Sequence, residues 1–300
     1  LRTRKRESPR YEGRPFARPD EELVDQGLQF DIGTLLSRRG VLVAGAGAAA
    51  FGLAACGPSG ESPGSSSTST AGAGGLAEIP EETAGPFPGD GSNGPDILEQ
   101  SGVVRADIRT SIGTRSATAE GVLMTLELQV YDLANGNATF AGVAVYIWHC
   151  DREGRYSMYS EGVENENYLR GVQVADADGL VSFTSVFPAC YSGRWPHVHF
   201  EVYPDEASIT DSANVIATSQ LALPQDACDA VYAESGYEQS VANLAELSLE
   251  TDGVFSDDGG ASQLATVTGD VASGYAVSLA VGVDSGTEAG GGAFGGGPNG

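Results

Sequence analysis

The sequence predicts an all-β sandwich, and three observations carry that prediction. From Val122 to Val281, apolar residues recur mostly with a period of two. The apolar runs are short and are separated by turn signals rich in Gly, Asp and Asn. Glycine, with 42 copies, is too abundant for a mainly helical chain. Many short strands joined by turns bury their apolar faces by stacking sheet on sheet.

Each element follows from its own pattern. Val122, Met124, Leu126, Leu128 and Val130 alternate with Thr125, Glu127 and Gln129, which predicts a half-buried strand. Val143, Val145 and Ile147 alternate with Ala144, Tyr146 and Trp148 in a second. The stretch from Val172 to Phe183 is broken by Asp176-Ala177-Asp178-Gly179, a turn between two short strands. His197, His199 and Glu201 alternate with Val198, Phe200 and Val202. Near the end, Leu264–Thr268 and Ala276–Val281 flank Ala272-Ser273-Gly274-Tyr275, which reads as a hairpin. Helical pattern is confined to Asp226–Ala233 and Val241–Leu247.

The charge divides the chain. Nine of the 16 basic residues lie in residues 1–56, and from Gly57 onward there are seven arginines and no lysine. That later part carries a net charge of −27, against −25 for the whole. Such a balance excludes a nucleic-acid binder, which needs a basic face to displace counterions from phosphate. It also excludes charge-driven docking on an anionic membrane. Arg38-Arg39 ahead of a short apolar stretch resembles a twin-arginine export signal, and Leu53-Ala54-Ala55-Cys56 resembles a lipobox. Residues 1–56 are therefore expected to be an extension plus export signal. Cys56 would carry a lipid that is the protein's membrane contact on the outer face of the cytoplasmic membrane. Residues 57–77, rich in Gly, Ser, Thr and Pro, are expected to be a flexible linker. Residues 78–284 form one domain, and residues 285–300 a Gly-rich tail.

The chemistry is expected at His197-Val198-His199. In a strand, residues i and i+2 point to the same face, so two imidazoles project together as metal ligands do. Cys190-Tyr191-Ser192-Gly193-Arg194 precedes them, and Tyr156 follows the turn after the second strand. His149, beside Trp148, reads as structural.

These residues carry a family resemblance. Gly142-Val-Ala-Val-Tyr-Ile-Trp-His-Cys-Asp-x-x-Gly-x-Tyr-Ser resembles the first signature of the intradiol ring-cleavage dioxygenases. Arg170-Gly171-Val172-Gln173 with Asp176-x-Asp-Gly-x-Val-x-Phe183 leads into the second. It continues as Phe187-Pro-Ala-Cys-Tyr191-x-Gly-Arg194-x-x-His197-x-His199-Phe200. Thr83-Ala84-Gly85-Pro86-Phe87 is similar to a segment of the family's N-terminal arm. The likeness runs from about residue 78 to about 225. It lacks the helical dimerisation region and is closer to the exported, single-domain branch.

The resemblance implies a β-sandwich of the intradiol type holding one Fe(III) through Tyr156, Tyr191, His197 and His199. It implies a catechol and O2 as substrates, with cleavage between the hydroxyl-bearing carbons to a cis,cis-muconate-type diacid. Tyr191 matches the axial tyrosine that gives way to substrate and takes a proton. Arg194 matches the arginine that stabilises negative charge on the ring, and Gln220 a glutamine that shapes the site from behind. Two rival readings stand beside this one. A cupin-like metalloenzyme would use His197-x-His199-x-Glu201, and a secreted β-sandwich binding module would have lost the metal. Cys150, Cys190 and Cys228 permit one disulfide in an exported protein, with the pairing open. The acidic run Glu161–Asn167 is expected at the site entrance. The oligomeric state is left open.

Overall fold

The longest strand sets the frame. In β3 (Leu123–Asp132), Met124, Leu126, Leu128 and Val130 are buried, while Leu123 and Glu127 between them are exposed. This is the alternation that the pleat of a strand imposes. The computed structural model describes residues 75–286 and a small antiparallel pair, β1 (Arg10–Tyr11) with β2 (Arg14–Pro15). The expected export signal, Cys56, most of the expected linker and the residues beyond 286 lie outside the described residues. Among the described residues, no helix is long and apolar enough to cross a membrane.

Two sheets stack. The first runs β10 (Thr266–Asp270), β11 (Gly274–Val283), β3. The other edge of β3 is shared by β7 (Leu180–Val186) and β4 (Ala138–Thr139). β11 lies parallel to β3, with Tyr275 opposite Met124 and Val283 opposite Asp132. β10 and β11 form the expected hairpin. The second sheet runs β6 (Arg170–Val174), β5 (Ala144–Trp148), β8 (His197–Tyr203), β9 (Ala217–Ala222), every pair antiparallel. Between the sheets, Leu126, Leu128, Phe183 and Val277 pack with Val145, Ile147, Val198, Phe200 and Leu221. Each such side chain contributes about 1.5–3 kcal/mol by leaving water.

The second sheet is covered on both faces, since every residue of β5, β8 and β9 is buried. On the side away from the first sheet, Tyr146, Trp148 and Tyr203 pack with Phe87, Ile97, Leu98 and Val103 from the preceding arm. The alternation in β8 is therefore not apolar-in, polar-out. It places Val198, Phe200 and Val202 in the inter-sheet core and His197, His199 and Glu201 under the arm.

Two sequence expectations shift in detail. The Asp176–Gly179 turn is present, with Asp176 Oδ1 accepting from the N–H groups of Asp178 and Leu180. Its two strands, β6 and β7, belong to different sheets, so the turn is a corner between layers. Gly179 sits at φ +75°, and a Cβ there would stand 2.5 Å from the Val130 carbonyl oxygen. Gly179→Ala is expected to cost roughly 2 kcal/mol or more, from left-handed strain plus overlap with backbone that cannot swing away. A lowered urea midpoint with unchanged slope would show it. The first helix, α1 (Gln225–Tyr232), lies where the pattern placed it. The second, α2 (Glu238–Leu244), begins and ends three residues earlier than expected. Val241, read as its first apolar marker, is 55% exposed, and the inward face is Ser240 and Leu244.

Candidate active site

Rows of side chains cross the covered face of the second sheet. Register places Arg170, Trp148, His199 and Gln220 in one row, and Val172, Tyr146, Glu201 and Thr218 in the next. Trp148 stacks on His199 with ring centres 4.8 Å apart and planes 7° from parallel. His197, one pleat further on, points the same way, and the two Nε2 atoms stand 3.1 Å apart.

Two tyrosine hydroxyls meet these nitrogens. The Tyr191 hydroxyl lies 3.3 Å and the Tyr156 hydroxyl 3.5 Å from His197 Nε2. Neither tyrosine is on a strand; loops deliver both. Asp151 folds the first loop by accepting from the N–H groups of Glu153 and Arg155. Gly154 turns it at φ +84°, where a Cβ would come within 3.2 Å of Tyr191 Cβ. The Asp151 carbonyl also accepts from Ala189 N–H, which ties the Tyr156 loop to the Tyr191 loop.

An arm closes the site from above. Gln220 Nε2 donates to the Thr83 carbonyl at 2.9 Å, and Tyr146 Oη donates to the Pro88 carbonyl at 2.6 Å. Between these anchors Gly85 passes over His199, and a Cβ there would stand 3.3 Å from His199 Cε1. Phe87 packs 4.9 Å from the Tyr156 ring.

Electrostatics fix the resting protonation. Burial, then the Arg194 cation, pushes His197 down to about 3. Burial, then His197, pushes His199 well below the usual range. Both imidazoles are neutral at physiological pH. His197 Nδ1–H donates to the Trp195 carbonyl, which leaves the Nε2 lone pair facing the tyrosines. His199 Nδ1 is buried with no hydrogen-bond partner among the described residues. Burial, then Tyr191, pushes the Tyr156 phenol well above its usual range. A bound cation is what would draw off its proton.

The donor set fits a hard trivalent metal: two neutral imidazole nitrogens and two phenol oxygens converging in a dry pocket. No group of three or more His, Cys, Asp and Glu side chains is poised for a metal among the described residues. Half of this set is phenolic, so such a group is not what it requires. Glu201 stays out of it, with its carboxylate accepting from the Tyr203 hydroxyl at 3.0 Å. The His-x-His-x-Glu arrangement therefore does not assemble as a triad.

Residues 93–210 match the sequence model of the family described as Dioxygenase. An intradiol ring-cleavage dioxygenase from Tetranychus urticae superposes with a TM-score of 0.53 at 23% identity. The match covers 69% of this chain and 94% of that one. A second solved dioxygenase superposes at 0.55 with 22% identity, over 70% of this chain and 95% of the other. The chain is thus similar to the Dioxygenase family over residues 93–210 and shares the fold of these two solved dioxygenases. The shared fold is the two-sheet sandwich expected from the sequence.

The matched segment contains Tyr156, Tyr191, Arg194, His197 and His199. Gln220 lies beyond it and arrives by pairing with His199 across β8 and β9. Arg194 is buried, donating from Nε to Asp252 Oδ2 at 3.0 Å and from Nη2 to Gln220 Oε1 at 2.6 Å. All six predicted residues thus share one place. Sequence reasoning missed Asp252, which no periodicity marks. It also passed over the ring stacking of Trp148, although that residue's place in the β5 alternation was a usable signal.

The remaining sequence candidates lie elsewhere. His149 is structural, bonded through Nε2 to Ser185 Oγ at 2.7 Å and through Nδ1 to the Cys150 carbonyl at 2.8 Å. Cys150, Cys190 and Cys228 are buried free thiols, with no disulfide among them. Burial pushes the Cys190 thiol up to about 12. Asn167, at the end of the acidic run expected at the entrance, is fully buried and bonds to Gln100 and Ile112. That end of the run braces a loop.

Proposed function

We propose that this protein is a ferric-iron dioxygenase that opens catecholic rings between the two hydroxyl-bearing carbons. A catechol and O2 combine to a cis,cis-muconate-type diacid, with both oxygen atoms kept in the product. The single observation that carries this reading is the convergence of Tyr156, Tyr191, His197 and His199. These four would hold one Fe(III), which supplies the Lewis acidity that binds a catechol through its oxygens and activates the ring toward O2.

The chain's own residues have distinct tasks. Tyr156 is 1% exposed and packed against Phe87, so it serves as a permanent ligand. Tyr191 is only partly buried, and its oxygen is the one placed to take a proton from an incoming catechol. Arg194 brings a fixed cation to the site, where negative charge on the ring is stabilised without solvent reorganisation. Gln220 joins Arg194 to the arm through its two amide atoms. Trp148 holds the His199 plane, while Phe87 and the arm keep water out.

The substrate class follows from charge. A ring carboxylate needs a cationic receptor, and this domain has no lysine and seven arginines. Catechol, alkyl- and aryl-catechols and hydroxyquinol are therefore preferred over carboxylated catechols. We also place the enzyme outside the cytoplasmic membrane, exported through the Arg38-Arg39 signal and held by a lipid on Cys56.

Spectroscopy tests the reading. The iron-loaded protein is expected to be red from phenolate-to-iron charge transfer. Catechol added under argon is expected to shift the band, and oxygen to bleach it as the diacid appears. A colourless protein that binds zinc as readily as iron would sink the assignment. Turnover of protocatechuate equal to that of catechol would sink the substrate preference alone.

A further inference from the structure

Asp252 stands in the loop after α2, far in sequence from every motif, and is fully buried. Its two oxygens collect N–H donors from two directions. Oδ2 accepts from Arg194 Nε at 3.0 Å and from Trp195 N–H at 2.7 Å. Oδ1 accepts from Val254 and Phe255 N–H, at 2.8 and 3.2 Å, and from Arg194 Nη2 at 3.5 Å. Burial by itself would raise its pKa, but Arg194 and these N–H groups outweigh burial and hold it below the usual carboxylate range. A desolvated carboxylate persists only when charge and hydrogen bonds are both met, and here they are.

The consequence reaches the site through one side chain. The guanidinium is gripped along its Nε edge, which fixes its plane. Its Nη2 is thereby aimed at Gln220 Oε1, and Gln220 Nε2 at the Thr83 carbonyl of the arm. The same carboxylate fixes Trp195, whose carbonyl receives His197 Nδ1–H. We propose that Asp252 is a positioning residue for ring cleavage, acting through Arg194 by fixing the direction of its guanidinium and balancing its charge. The use made of Arg194 rests on the proposed ring-cleavage reading; the way Arg194 is held does not.

The experiment uses the full chain, iron-loaded for kinetics and metal-free for NMR. Asp252→Asn places an amide N–H donor or a neutral oxygen against Arg194 Nε. It is expected to retain iron and its visible band while kcat on catechol falls roughly 10- to 100-fold and KM changes less. The double variant Asp252→Asn, Arg194→Ala is expected to be no slower than Arg194→Ala, since the two residues act as one unit. In the metal-free protein, the Arg194 Nε–H resonance is expected to resist solvent exchange, and to lose that protection in Asp252→Asn. Multiplying losses in the double variant, or a wild-type kcat in Asp252→Asn, would overturn the proposal. Should Asp252→Asn fail to fold, Asp252→Glu moves the carboxylate by one methylene. A reduced kcat with a shifted Nε–H resonance then supports the proposal, and wild-type values of both overturn it. If the wild-type chain opens no catechol, the ring-cleavage reading fails and NMR alone decides: lost protection supports the positioning role, retained protection refutes it.

Discussion

Removing either imidazole, by His197→Ala or His199→Ala, is expected to strip the site of iron. Each Nε2 is one of four converging donors, and the two nitrogens stand only 3.1 Å apart. Loss of a residue that merely supports a ligand costs roughly 10- to 100-fold in metal affinity, so loss of a ligand should cost more than about 100-fold. The fold should survive, because both side chains face the arm and the inter-sheet core is untouched. Metal analysis after dialysis, with the visible spectrum, reads the outcome. Tyr156→Phe provides the gradation: it removes one anionic oxygen but keeps the ring against Phe87, so colour and affinity fall while some iron remains. Iron retained at full occupancy after loss of both histidines would place the metal elsewhere.

Arg170→Met is expected to give the largest loss of stability. Arg170 is 1% exposed and spends its donors on neutral partners. Nε and Nη2 donate to Ser157 Oγ and to the Ser157 carbonyl; Nη1 donates to the Pro88 carbonyl and to Tyr146 Oη. Its guanidinium also lies 5.3 Å from the centre of the Tyr159 ring. Removing the cation relieves its own desolvation, but it leaves several buried oxygens short of a donor. Each orphaned group costs about 1–3 kcal/mol, so a net loss of about 3 kcal/mol is expected. Ser157 adjoins Tyr156, and Pro88 belongs to the arm, so iron affinity should fall as well. Arg170→Lys should recover only part, because one ammonium cannot bridge both segments as a planar fork does. Urea unfolding of the metal-free protein separates the stability loss from the metal loss.

Much of this was legible because alternation reports burial directly. The strands around Leu126, Ile147, Phe200 and Val281 were found from period two alone. The two histidines were found because i and i+2 share a face, and the tyrosines through a resemblance confined to adjacent turns. Period two does not say which sheet a strand joins, so the corner between β6 and β7 was read simply as a turn. It also does not register a strand buried on both sides, so the alternation set Tyr146 and Trp148 on the face opposite Val145 and Ile147 without showing that this face is covered. Val241 misplaced the start of α2 because an exposed apolar residue looks the same in sequence as a buried one. Asp252 was hidden for a different reason. Its partner is 58 positions away, and the loop that carries it has no repeat.

The parallel pairing of β11 with β3 sets an order of events for folding. Met124 meets Tyr275 across about 150 intervening residues, and the rest of the register follows from that meeting. The antiparallel pairs of the second sheet close over shorter loops, so the strand that bears both histidines has its neighbours sooner. By loop length, the row of Trp148, His199 and Gln220 is expected to assemble before the first sheet gains β11. Until that strand arrives, β3 presents an open edge of unpaired backbone to any other extended chain nearby. The interval before closure is the period in which this protein is most exposed to aggregation.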